Sequence, residues 1–341
     1  MLQFAPRSAR ACAKFSSQIL GAFFITILTG LGGCAKSAET ENRSPDRIKI
    51  TCTVGMVAEV VRHVAGETAE VTSLMGEGVD PHLYKPTRSD ISRLLNADVV
   101  FYNGLLLEGK LTDVLAKAAA SGKHVFPIAE FLPRDRLLTP GDFEGHEDPH
   151  VWMDPTLWSL VADIVRDRLS ELRPEHAATF AANAAAYRSK LAELDAYALA
   201  VLTTIPEAQR VLVTAHDAFG YFGRRYGFEV VGIQGISTES EAGVRDIERL
   251  VELIVSRKIA AVFVESTVSD RNTQALVVGA ARRGWSVRIG GSLFADAMGA
   301  AGSYEGTYIG MIDHNVTHIA RALRGEAPER GMTGQLSEPV P

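Results

Sequence analysis

Cysteine is scarce: three residues in 341, Cys12, Cys34 and Cys52. Two of them fall in or at the end of an amino-terminal leader, so Cys52 alone remains and no intrachain disulfide is available. Positive charge is short as well. Lys and Arg number 35 against 41 Asp and Glu, a formal net charge of −6. That balance excludes nucleic acid as a partner, because phosphate neutralisation needs clustered cations. It suits cations instead. No apolar run is long enough for a stable spanning helix. Enzyme signatures are missing too: there is no H-E-x-x-H, no G-x-S-x-G, no P-loop and no G-x-G-x-x-G after a strand. Low complexity is also absent, since 46% hydrophobic and 22% charged residues is ordinary globular composition.

What is present begins with an export signal. Residues 1–14 carry Arg7, Arg10 and Lys14 and no acid, and a short apolar run follows from Phe15 to Leu28. A positive segment before a short apolar one reads as a secretory leader covering residues 1–33. The run ends Leu31-Gly32-Gly33-Cys34, which resembles the lipobox of bacterial lipoproteins. That resemblance implies cleavage before Cys34 and a diacylglycerol on its sulfur, with ordinary cleavage after Ala35 as the alternative. Residues 34–46 are polar and read as a flexible tether. Roughly 300 residues remain, enough to bury a core without disulfides.

Those residues alternate short strands and helices. Strand signals at 48–54, 69–74, 99–102 and 124–127 are interleaved with helical stretches at 56–65, 89–95 and 111–120, which implies a parallel sheet covered by helices. Asp154-Pro155 starts a helix that runs to about Leu172. An Ala-rich stretch then continues to about Thr204. At 1.5 Å per residue a helix of about thirty residues spans about 45 Å, long enough to cross a domain. No sustained heptad is visible in it, so it reads as a stiff connector rather than a coiled coil. The strand–helix rhythm resumes with strands at 210–214, 229–232, 261–265 and 286–290. The expected fold class is therefore α/β: two lobes, 47–170 and 207–325, each a parallel sheet flanked by helices, bridged by one long rigid helix within 171–206. A mobile tail is expected over 326–341.

In open α/β sheets ligands bind beyond the carboxyl ends of the strands. Four functional side chains occur there: His82 and His150 from the first lobe, His216 and Asp296 from the second. A cleft between the lobes can collect all four. His82 and His150 share a local frame, Asp80-Pro81-His82 and Asp148-Pro149-His150, in which proline stiffens the loop before the imidazole. A carboxylate beside a ligating imidazole can accept its second N–H and fix the tautomer, which makes Asp80, Asp148 and Asp217 candidates for orienting the rings. Glu265 is the one base available to a zinc hydrolase, and as a carboxylate after a strand it reads better as a packing or orienting group. His314 and His318, four apart on a helix, have no third partner in sequence.

Several segments carry a family resemblance: Asp80-Pro81-His82-Leu83-Tyr84-Lys85-Pro86-Thr87, Glu147-Asp148-Pro149-His150-Val151-Trp152-Met153-Asp154, Ala215-His216-Asp217-Ala218-Phe219-Gly220-Tyr221-Phe222 and Leu293-Phe294-Ala295-Asp296-Ala297-Met298-Gly299. Together they resemble the zinc/manganese solute-binding lipoproteins of bacterial ABC uptake systems over about residues 48–324. The resemblance implies a metal ion between the lobes on His82, His150, His216 and Asp296, with no catalytic role. It also implies a membrane permease and its cytoplasmic ATPase as partners, a lipid anchor on Cys34, an extracytoplasmic location and a monomeric receptor. Three imidazoles and one carboxylate suit zinc, and a bidentate Asp296 makes manganese tolerable. The loop before His150 is short, 139–148, unlike the long His-rich loop of the zinc-specific branch, so zinc and manganese are expected jointly. Protonation of the imidazoles is expected to release metal below about pH 6, from free values near 6.5. A siderophore or cobalamin receptor, and a surface adhesin, are the competing readings.

Overall fold

A computed structural model describes residues 47–141, 143, 145–338 and 340. The leader, Cys34 and the expected tether lie outside the described residues. The first lobe contains β1 (Ile48–Cys52), α1 (Gly55–Ala65), β2 (Ala69–Ser73), α2 (Arg88–Asn96), β3 (Val99–Tyr102), α3 (Thr112–Ala120) and β4 (His124–Pro127). Its strands form one parallel sheet in the order β2-β1-β3-β4. Central strands of such a sheet are covered on both faces, which is why β3 reads as an unbroken apolar run, whereas β1 alternates and leaves Lys49 exposed. Some helix starts carry side-chain caps. Thr87 and Asp90 form a capping box at α2. At α4 (Pro155–Leu172), the Asp154 carboxylate accepts the N–H groups of Thr156 and Leu157, and Pro155 takes the first helical position.

The connector is α5 (Ala177–Leu202), 26 residues and about 39 Å long. It is not a bare rod. Phe180, Ala184, Tyr187, Leu191, Leu194, Ala198 and Val201 are buried, and they recur at alternating steps of four and three. No heptad is expected here from the sequence. One exists, and the surrounding alanines, apolar on every face, hide it from periodicity. The stripe packs on α4, on α1 of the first lobe and on α9 (Tyr308–Ala322) of the second, within the same chain.

The second lobe comprises β5 (Val211–His216), α6 (Gly220–Tyr226), β6 (Glu229–Gln234), α7 (Val244–Arg257), β7 (Ala261–Glu265), α8 (Arg271–Arg282), β8 (Arg288–Leu293) and α9. Its strands are parallel but make two ladders, β5-β6 and β7-β8, with β5 lying beside β7. At the end of β5 the main-chain N–H of His216 goes to the Glu265 carboxylate at 3.0 Å rather than to a strand carbonyl. One core runs through both lobes, from Ile50 and Phe101 through Trp158 and Tyr187 to Phe263 and Ile319. A smaller cluster, including Val213, Leu250, Ile254 and Leu276, lies under α7 and α8. The segment after 325, expected to be mobile, folds back on α9. Leu336 is buried, Met332 N–H reaches the Asp313 carboxylate at 2.9 Å, and Ser337 N–H reaches Glu305 at 2.7 Å.

Candidate metal centre

Each of the four expected residues sits at the carboxyl end of a strand or in the loop beyond it, and each is held by a different local device. His82 follows β2 in a turn whose Asp80 Oδ1 accepts the N–H groups of His82 at 2.8 Å and Leu83 at 3.4 Å, a side chain standing in for a backbone turn. His150 follows Pro149, and Asp148 Oδ1 accepts both its N–H, at 2.9 Å, and its ring Nδ1–H, at 2.7 Å. His216 is the last residue of β5, two residues further along the strand than the sequence suggests. Its ring Nδ1 lies 2.5 Å from Glu265 Oε2. Asp296 follows β8 in a loop gripped from both lobes. Asn315 of α9 bonds Phe294 N at 2.9 Å and Phe294 O at 2.7 Å, while Trp152 of the first lobe donates to Ala295 O at 2.9 Å.

The result is a single cluster. One ligand atom from each of His82, His150, His216 and Asp296 lies within 4.8 Å of the others. The Nε2 atoms of the three rings stand 3.5, 3.3 and 3.2 Å from Asp296 oxygens. All four side chains are buried, at 0–3% exposure. His82 Nε2, His150 Nε2, His216 Nε2 and both oxygens of Asp296 have no hydrogen-bond partner among the described residues. Five buried polar atoms without partners, aimed at one another, carry a desolvation cost that a bound cation would relieve.

The protonation pattern is uneven. Burial drives the His82 imidazole down to about 3; the Asp296 charge pulls the other way without overcoming it, and the two neighbouring imidazoles add to the fall. Burial also opposes charge on His150, but Asp148 and then Asp296 outweigh it and carry the ring up to about 9. His216 is likewise pushed well above its ordinary value, burial being overcome by Glu265 and Asp296. Burial works against the Asp296 carboxylate, yet the charges of His216 and His150 hold it well below the usual range.

Of the orienting candidates, Asp148 and Glu265 reach ring nitrogens. Asp80 holds the main chain of its histidine instead. The Nδ1 of His216, beside which Asp217 sits in sequence, faces Glu265. Three further supports lie outside the candidate set. Asn103 bonds Pro149 O at 3.0 Å, Tyr221 O–H bonds Asp148 O at 2.8 Å, and Tyr308 O–H bonds Trp152 O at 2.6 Å. The pair His314 and His318 stands apart from the cluster, with stacked rings 3.9 Å apart and His314 Nε2 on Ser292 O at 2.9 Å.

Two α/β lobes bridged by one packed helix, with a closed three-histidine, one-aspartate cluster between them, define a helix-bridged solute receptor with metal-type donors. The chain belongs to the family described as zinc-uptake complex component A periplasmic (ZnuA), which residues 50–322 match. It is 45% identical over 299 residues to the manganese-binding lipoprotein MntA of Bacillus subtilis (strain 168), covering 87% of this chain and 95% of that one. It is also 45% identical over 274 residues to the zinc-binding protein TroA of Treponema pallidum (strain Nichols), covering 80% and 88%. The solved structure of the periplasmic zinc-binding protein TroA from Treponema pallidum superposes with a TM-score of 0.78 at 44% identity, over 81% of this chain and 99% of that one.

Proposed function

We propose that this protein is the extracytoplasmic receptor of an ABC-type metal-ion uptake transporter. It takes Zn²⁺ or Mn²⁺ on the Nε2 atoms of His82, His150 and His216 and the carboxylate of Asp296, and delivers the ion to a membrane permease driven by a cytoplasmic ATPase. The observation that carries this reading is the set of five partnerless buried donor atoms. Four protein ligands leave no open position for a catalytic water, which suits carriage rather than catalysis. Nitrogen-rich donors disfavour magnesium and calcium. Relatives named for manganese and for zinc at equal identity support either ion as cargo. The leader and the lipoprotein name of the Bacillus relative support export and a lipid anchor on Cys34, with the receptor working as a monomer.

Elemental analysis of protein purified without added metal, followed by competition between Zn²⁺ and Mn²⁺, tests the centre. The expected result is one transition-metal ion per chain in the wild type and none retained in His216→Ala. Stoichiometric metal retained by His216→Ala would defeat the assignment.

A further inference from the structure

The loop between β6 and α7, residues 235–243, makes contacts that neither lobe needs for its own core. At its base Gly235 O accepts the N–H of Asp217, the residue after His216, at 3.3 Å. At its crown the Thr238 hydroxyl donates to Asp80 Oδ2 at 2.6 Å, across 158 residues of chain. The other oxygen of Asp80 is already committed to the main chain of His82 and Leu83. One carboxylate therefore ties the turn that carries His82 to a loop rooted beside His216. Thr238 is buried, and a surface ion pair of the same loop, Lys110 to Glu239 at 3.6 Å, makes a second tie.

Thr238 and Asp80 also form part of the wall of a cavity of about 580 Å³, lined further by Gln234, Glu241, Thr267 and Asn272. Glu241 is held there by the side-chain amides of Gln234 and Asn272, each at 3.2 Å. The Gln234 side-chain Oε1 and the Thr267 hydroxyl have no partner among the described residues. A polar lining of this size suits water. Another tie between the lobes, Trp152 to Ala295 O, runs through the apolar core. The Thr238 bond joins the second lobe to the main chain of the His82 turn through Asp80.

We infer that the Thr238–Asp80 hydrogen bond is a latch that sets how long a bound ion stays, and that water reaches the centre through the adjoining polar cavity when the latch opens. This rests on the metal-receptor reading above. Thr238 is a positioning residue. It acts through Asp80 on the turn that carries His82, so its loss shortens the residence of the ion and leaves the ligand set as it was.

The test is stopped-flow release of Zn²⁺ or Mn²⁺ from the loaded, leader-free chain into excess chelator. A hydroxyl on a buried carboxylate contributes enough that Thr238→Val is expected to release about tenfold faster. Thr238→Ser, which restores the donor, returns the rate to within about twofold of wild type. The metal-edge X-ray absorption spectrum is expected to be the same in all three. Release from Thr238→Val at the wild-type rate overturns the latch alone. An altered absorption spectrum in Thr238→Val also overturns it, because the hydroxyl would then shape coordination rather than residence. Wild-type protein that takes up neither ion overturns the latch and the proposed function together.

Discussion

At the scale of single residues, the three imidazoles that are chemically alike in sequence have been made unlike by their surroundings. His150 and His216 each face a carboxylate through Nδ1 and are carried above their ordinary values, whereas His82 is not so paired and is carried down to about 3. A ligand must be neutral at the coordinating nitrogen, so metal has to displace protons from His150 and His216. Their raised values place that competition at and above neutral pH, rather than below pH 6 as free imidazoles suggest. Affinity for metal is therefore expected to climb with pH from 6 to about 9. Calorimetric titration at pH 7 in buffers of different ionisation enthalpy should register proton release, and an enthalpy independent of buffer would contradict it. A second histidine tests stability instead. His314 is lowered to about 4 by burial and by His318. A depressed value means that the unfolded chain takes up a proton first. Its contribution is full above about pH 6.5 and is lost as pH falls toward 4. Between pH 7 and 4.5 urea denaturation of metal-free His314→Gln should lose about 2 kcal/mol less stability than wild type; equal losses would show that His314 is not the titrating group.

At the scale of elements, what was legible depended on how local the determinant was. The strands of the first lobe were readable because β-branched runs are bounded by Gly, Pro and Asp, and the α4 start was readable from Asp154-Pro155. The three clustered histidines and Asp296 were readable because each lies at or beyond a strand end. The α5 stripe was not, since its heptad is written in alanine as well as leucine. Asn315 and Thr238 were not either, because each acts on a loop brought to it only by the fold, 21 and 158 residues away in sequence. Gly232 is another hidden determinant. A Cβ there would lie 2.5 Å from Asp217 N and 2.6 Å from Gln234 O, so only glycine lets β6 close on the chain just past His216. Both obstacles are main chain and cannot rotate away. Gly232→Ala is expected to push the His216 end of β5 aside and weaken metal binding by about tenfold to a hundredfold, in the range of lost support for a ligand. Metal titration of the folded variant decides this; unchanged affinity would mean that β6 can shift without moving His216.

At the scale of the whole molecule, the connector and the core set how far the lobes can move. In α5, Asp195 is paired with Arg225 of α6 while Asn183 donates to Val64 O of α1 at 3.0 Å, so one rigid helix is fastened to both lobes. In the shared core, Tyr308 O–H holds Trp152 O and Trp152 holds Ala295 O. Wide opening would expose this core to water, at about 25 cal/mol for each Å² of apolar surface uncovered. A hinge that swings the lobes apart is therefore disfavoured, and a bound ion has to be gained and lost through displacement of loops at the rim. Two consequences can be measured on one preparation. Small-angle scattering of metal-free and metal-loaded protein should give radii of gyration that agree within about 1 Å for a chain of this compactness. Thermal melting should remain a single transition that rises with free metal concentration by mass action. A markedly larger metal-free radius, or two separate melting steps, would mean that the lobes part freely and that α5 does not restrain them.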